Sequence, residues 1–154
     1  MNMQPRLDVE KVAPDVYKAM FALEACIHKS GLEASLVELI KTRASQINNC
    51  AFCMDMHTKQ ARKHGETQQR LYTLSAWRET PFFTGRERAA LAWTEALTSV
   101  AETQVPDDVY EAARKHFTEK ELVDVSLVIV TINGWNRLSV AFRKVPGDYQ
   151  PTWL

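Results

Sequence analysis

The sequence is poor in residues that break helices and in residues that staple chains: five glycines, six prolines and three cysteines among 154 residues. No Gly- or Pro-rich stretch marks a linker, a low-complexity tract, a repeat or a domain boundary. Three cysteines do not make a disulfide framework, and in a reducing compartment a C-x-x-C pair points to catalysis or metal binding. An excess of charge is also missing. Nineteen basic residues balance nineteen acidic ones, whereas a polyanion-binding surface carries a basic surplus, so no nucleic acid is expected. No apolar run approaches the roughly 18–20 residues that span a bilayer. The longest, Leu122 to Ile132, contains Asp124, Ser126 and Thr131. The first residues, Met1 to Lys11, are mixed polar and lack the apolar core of a signal peptide. The expectation is one cytoplasmic domain over 1–154, with no membrane partner.

What the sequence does contain is helical periodicity. Pro14 to about His28 carries Val16, Met20, Leu23 and Ile27 on one face and stops at Ser30-Gly31. Glu33 to about Arg43 continues with Leu36, Leu39, Ile40 and Ala44, and Ser45 to Asn49 reads as a polar turn with Asn49 as N-cap. Cys50 to Lys63 follows, with Gly65 suited to a left-handed C-terminal cap. Three more helices are expected over Thr67–Trp77, Thr84–Val100 and Asp107–Phe117. Thr118 and Glu121 form a capping box for a last helix reaching about Phe142, although Asn133-Gly134 weakens its middle. The fold class is all-α, about six to seven helices, with an irregular tail from Val145.

The chemistry concentrates in N-C-A-F-C-M-D-M-H, residues 49–57. At about 100° per residue, Cys50, Cys53 and His57 share one narrow helical stripe. Thiols at this spacing can close a disulfide without unwinding the helix. The positive helix N-terminus favours a thiolate at Cys50, while the imidazole at i+4 favours Cys53, so position leaves the attacking sulfur open. A thiolate oxidised by peroxide becomes a sulfenic acid that a neighbouring thiol condenses to a disulfide. An outside dithiol then restores the pair. Rival readings are two small core residues, or a zinc site completed by Cys26 or His64. Met54 stands where a haem-attachment motif needs histidine.

Other residues read more simply. Cys26 lies on the apolar side of its helix and should be inert packing. His28, His64 and His116 sit near helix C-termini, where positive charge complements the dipole. Phe52 and Met56 should shape an apolar mouth, Trp135 should be core or a subunit contact, and Arg137 an interface ion-pair partner. Glu38, taken alone, reads as a solvated surface glutamate.

The spacing Glu38, eleven residues, then Cys50-x-x-Cys53-x-x-x-His57 resembles the alkylhydroperoxidase D-like (AhpD-like) members of the carboxymuconolactone decarboxylase superfamily. Similarity extends through the segments L-Y-T-L-S-A-W-R, T-G-R-E-R-A-A-L-A-W-T-E-A-L-T and I-N-G-W-N-R-L-S-V-A-F-R, a core of about residues 33–143. The resemblance implies an all-α domain assembling as a homotrimer or homohexamer and reducing peroxides. It implies Cys53 as the peroxidatic and Cys50 as the resolving cysteine, with Glu38 and His57 as a proton relay with a water between them. It implies no bound cofactor and an external dithiol donor, lipoyl-bearing in some relatives. The best-known members carry a second histidine where this chain has Phe52. Members that decarboxylate carboxymuconolactone lack the C-x-x-C, which argues against that reaction. The alternatives are a disulfide oxidoreductase without peroxide specificity, or a thiol or metal switch. Apolar helices such as Ala89–Val100 add to the expectation of self-association.

Overall fold

In the computed structural model, which describes residues 3–151, helices follow one another with short links and no strand occurs among the described residues. The order is α1 (Val9–Val12), α2 (Pro14–Lys29), α3 (Ala34–Ile47), α4 (Ala51–Lys63) and α5 (Gln68–Thr73), continued by a 3₁₀ turn (Leu74–Glu79). Then come α6 (Gly85–Thr98), α7 (Val100–Thr103), α8 (Asp107–Arg114) and α9 (Glu119–Phe142). The seven expected helices are present. The additions are the single turns α1 and α7, too short to show periodicity in a sequence.

α3 is the hub. It packs against α4, α6 and α9, while α2 lies along α9 and α8 against α6. Leu36, Leu39, Ile40 and Ala44 of α3 are all buried, and each large apolar side chain removed from water contributes about 1.5–3 kcal/mol. The main core joins Ile40 and Val37 to Ala90, Trp93, Val125, Val128 and Ile129. A smaller cluster joins Ala44, Cys50, Cys53 and Ile132, flanked by Phe52 and Trp135. The thiols therefore belong to the packed interior.

Several local expectations change. α3 runs on through Ser45 and Gln46 to Ile47, because the Ser45 hydroxyl donates back to the Lys41 carbonyl at 2.7 Å and satisfies itself inside the helix. Asn49 is not an N-cap. Its φ of 52° puts it in the left-handed region, which asparagine tolerates better than most residues. It closes α3 with a Schellman pair, Asn49 N–H to the Gln46 carbonyl at 3.2 Å and Cys50 N–H to the Ser45 carbonyl at 3.0 Å. Cys50, not Asn49, is then the N-cap of α4. The Thr118–Glu121 capping box is formed in both directions.

α9 runs unbroken through Asn133-Gly134. A Cβ at Gly134 would fall 2.9 Å from Met20 Cε, so the glycine gives the α2–α9 contact its room. By length and composition α9 could cross a membrane, which shorter apolar runs in the sequence did not suggest. Yet Leu122, Val125, Val128, Ile129 and Ile132 are buried in protein, and the helix is the central rod of the core. On α2 only Ile27 is buried and Val16 is exposed. Cys26 is exposed rather than packed, because α2 meets its neighbours along one narrow edge. The apolar side chains of α6 are covered within the chain itself, with Ala89, Ala90, Trp93 and Ala96 buried. That helix therefore offers no argument for self-association.

Candidate active site

Cys50 owes its place to two helix ends at once: it completes the Schellman closure of α3 and caps α4. The Cys53 N–H donates to the Cys50 sulfur at 3.4 Å, one of the four N–H groups a helix start leaves without partners. Both sulfurs are buried, each residue 1% exposed. No disulfide joins them; all three cysteines are free. The sulfurs face one another closely enough for the Cys53 thiol to donate to Cys50. That bond, the Cys53 N–H and donors from Ser139 and Asn136 together hold the Cys50 thiol down at about 7, against the opposing effect of burial. Cys53 moves the other way. Its role as donor to Cys50, burial and the neighbouring negative charge all hold its proton on. In the resting pair the negative charge therefore favours Cys50, chiefly because the Cys53 thiol donates to it.

His57 lies one helical turn beyond Cys53 and is buried. Its Nδ1 meets the Glu38 carboxylate at 2.8 Å, directly and without an intervening atom, unlike the water-spaced relay that the resemblance implied. The pair joins α4 to α3. With a carboxylate as partner, Nδ1 carries the proton and Nε2 presents a lone pair. Nε2 is buried and has no hydrogen-bond partner, so it is the ring nitrogen left open to a further contact. Glu38 is a half-buried member of this pair, not a solvated surface residue, because α3 turns that side toward α4.

Two residues near the sulfurs were given no role by the sequence. Asn136 and Ser139 lie on the buried side of α9, at 1% and 8% exposure. Asn136 accepts from Asn48 Nδ2 at 2.9 Å and donates to Ser45 Oγ at 3.0 Å. Its second N–H is free to serve Cys50. Asn48 also donates to Asn133 at 3.0 Å, and Asn133 to Thr98 at 3.1 Å. The available signal was polar residues at 133, 136 and 139, spaced by three along the last helix. Such groups are costly to bury without partners, so their partners were the thing to look for.

Phe52, where the family's second histidine would stand, packs beside the thiols with the Lys144 ammonium 4.6 Å above its ring. Met56 is half-buried on the same helix. Trp135 packs edge-on against Tyr17 and Phe21 and donates to Glu24 at 3.0 Å. Arg137 is exposed and turns back onto Asn133, donating to its carbonyl at 2.9 Å and its side-chain oxygen at 2.8 Å. His28 and His64 lie in the last turn and C-cap of their helices, as the spacing indicated. Among the described residues no three His, Cys, Asp or Glu side chains converge as a metal site, and Cys26, one candidate fourth zinc ligand, points outward on α2.

The irregular tail is fastened over α4. Lys59 Nζ donates to the Gly147 and Tyr149 carbonyls at 3.1 and 3.0 Å, and the Gly147 N–H donates to Asp55 at 3.1 Å. Gln60 bonds the Tyr149 hydroxyl. Burial is the main reason the Tyr149 phenol holds its proton more tightly than usual, with the Glu38 charge adding to it.

The family model for carboxymuconolactone decarboxylase matches residues 14–96. The uncharacterized protein YdfG of Bacillus subtilis is 45% identical over 139 residues, covering 90% of this chain and 95% of its own length. The crystal structure of a protein of unknown function, ATU0492, from Agrobacterium tumefaciens, proposed to be an antioxidant defence protein AhpD, superposes with a TM-score of 0.92 at 44% identity. The match covers 95% of this chain and all, 100%, of the other. An uncharacterized peroxidase-related protein from Ralstonia eutropha JMP134, with an alkylhydroperoxidase AhpD core, shares the fold at 22% identity and a TM-score of 0.80, over 91% of this chain and 75% of its own.

Proposed function

Because this chain belongs to the carboxymuconolactone decarboxylase family, in its AhpD-like branch, we propose that it is a thiol-dependent peroxidase cycling Cys50 and Cys53 between dithiol and disulfide. The superfamily is one of enzymes, and the observation that carries the finer reading is the hydrogen-bonded sulfur pair at the start of α4. The pair shares one proton and one negative charge near neutral pH, resting on Cys50. Moving the shared proton onto Cys50, or the Cys53 proton onto His57 Nε2, gives Cys53 the charge. The Cys53 thiolate attacks the terminal oxygen of the hydroperoxide, the O–O bond breaks, and the alkoxide leaves as the alcohol after taking a proton. The Cys50 sulfur then attacks the sulfenic sulfur, an S–S bond forms, and water leaves. An external dithiol, lipoyl-type by resemblance to some relatives, reduces the disulfide by exchange.

Glu38 fixes the His57 ring so that Nε2 faces its task as an acceptor, and stabilises the imidazolium that forms. We place the protein in a reducing, cytoplasmic setting, which this cycle needs. We also propose a homotrimer or homohexamer. Phe21 on α2 and Val123 and Val130 on α9 are more than half exposed, an apolar face suited to a second copy.

The test is consumption of hydroperoxide by the pure protein with dithiothreitol or dihydrolipoamide, against C53S. Equal rates for both proteins would refute the reading. A second reading, a disulfide oxidoreductase, is favoured by the charge resting on Cys50 at a helix start, the arrangement that suits attack on an external disulfide. Turnover of a disulfide substrate without peroxide would select it.

A further inference from the structure

α3 and α4 pack antiparallel around the Asn48-Asn49 turn, and two bonds set their register. Glu38 meets His57 at one end, and the Cys50 N–H donates to the Ser45 carbonyl at the other. Glu38, Thr42 and Ser45 lie one turn apart on a single stripe of α3, as Cys53 and His57 do on α4. The register therefore sets Thr42, one turn past Glu38, across from Cys53, one turn before His57. Helical side chains lean toward the N-terminus of their own helix. Thr42 leans toward the Glu38–His57 pair, His57 leans toward Cys53, and the two converge from opposite helices on the flank of Cys53.

Thr42 is fully buried, and its hydroxyl has no hydrogen-bond partner among the described residues. A helical hydroxyl has an easy partner in the carbonyl one turn back. Ser45, Thr58, Thr94 and Ser126 all take that bond, each at 2.7 Å. Thr42 does not. Thr131 on α9 shares this state, yet stands about 140° around that helix from Asn136. Burying an unpaired hydroxyl costs stability, a cost that an isosteric valine would avoid. His57 Nε2 is likewise buried and unpartnered. One hydroxyl and one imidazole nitrogen thus stand open on facing helices, beside the sulfur that attacks in the proposed cycle.

We propose that Thr42 is a further catalytic residue: with His57 Nε2, its hydroxyl binds the leaving oxygen of the hydroperoxide while Cys53 attacks the terminal one. The inference rests on the peroxidase reading and adds to that site a residue outside the C-x-x-C-x-x-x-H pattern. In this step the Cys53 thiolate bonds to the terminal oxygen as the O–O bond breaks, and two electrons pass from sulfur to the peroxide. The departing oxygen accepts a hydrogen bond from Thr42 and takes from Nε2 the proton that came from Cys53. The products are the Cys53 sulfenic acid and an alcohol, or water when the substrate is hydrogen peroxide. A donor aimed at developing charge in a site closed to water acts on the transition state. A disulfide substrate brings no oxygen to this position and makes no use of the hydroxyl.

The experiment compares the reduced full chain with Thr42→Val, which removes the hydroxyl and keeps the shape, and Thr42→Ser, which keeps a hydroxyl. Thr131→Val is the control. Loss of thiols is followed by rapid quenching and alkylation, with hydrogen peroxide or the small disulfide cystamine as oxidant. Thr42→Val is expected to react with peroxide at least about tenfold more slowly, the scale on which a transition-state donor counts. Thr42→Ser and Thr131→Val should stay near the wild type, and cystamine should oxidise every variant alike. Thr42→Val should also unfold at no lower urea concentration than the wild type, since it loses only an unpaired hydroxyl. Unchanged peroxide oxidation of Thr42→Val, or equal slowing with cystamine, overturns the role of Thr42 and leaves the peroxidase reading standing. Earlier unfolding with a normal peroxide rate would make the hydroxyl structural and overturn it too. A wild type whose thiols peroxide oxidises no faster than free glutathione sinks the peroxidase reading and this inference with it.

Discussion

The Glu38 carboxylate holds His57 by its Nδ1 at 2.8 Å across nineteen positions of sequence, from one helix to the next. The contact fixes the tautomer and leaves Nε2 as a buried acceptor. His57→Phe is expected to lower kcat for peroxide reduction by about 10²–10⁴-fold, the usual contribution of a positioned general base. Glu38→Gln, which keeps the shape but removes the charge, should cost less while still lowering kcat. An unchanged kcat in Glu38→Gln would deny Glu38 its role.

The ionisation order of the sulfurs is measurable by alkylation and mass spectrometry across pH. The Cys50 thiol is held down at about 7, so its thiolate is present above that pH and disappears as pH falls through it. Cys50 should therefore be alkylated first at neutral pH, with Cys53 protected to much higher pH. Once Cys50 carries the label, Cys53 loses its neighbour's charge and should become easier to ionise. Alkylation of Cys53 first would reverse the order argued from the hydrogen bond between the two sulfurs.

Asn136→Ala removes a donor from Cys50 and takes one hydrogen bond each from Asn48 and Ser45. The expected result is an upward shift in the pH of Cys50 alkylation, with a stability loss of about 1–3 kcal/mol for the unsatisfied groups. Urea unfolding reports the second effect and thiol titration the first. A stability loss without a titration shift would make Asn136 purely structural.

Lys41, 5% exposed, pairs with Glu24 at 2.6 Å beneath Trp135. Glu24→Ala leaves that ammonium buried without its partner and is expected to cost about 3–5 kcal/mol, whereas replacing both residues with methionine should recover most of it. Denaturant unfolding of the single and double variants separates these outcomes.

Light scattering after size exclusion is expected to give a trimer or hexamer of the 17.6 kDa chain. Val130→Glu, on the exposed side of α9, should shift the population toward smaller species. A wild-type monomer would end the proposal of assembly.

The sequence by itself determined the helices and put Cys50, Cys53 and His57 in one place. Periodicity placed seven helices because burying one face imposes a 3.6-residue pattern, and the capping box at Thr118 declared itself because its bonds are local. Cys50, Cys53 and His57 were legible together because they share one helix. Glu38 was visible only through family spacing, since a lone glutamate carries no sign of what it will face. The tertiary structure decided the rest. It made Cys50 a cap by closing α3 through a left-handed Asn49, put Glu38 directly on His57, and brought Asn136 and Ser139 of α9 to the sulfurs. Each of these depends on contacts between chain segments far apart in sequence, and so on how α3, α4 and α9 pack, which local patterns do not encode.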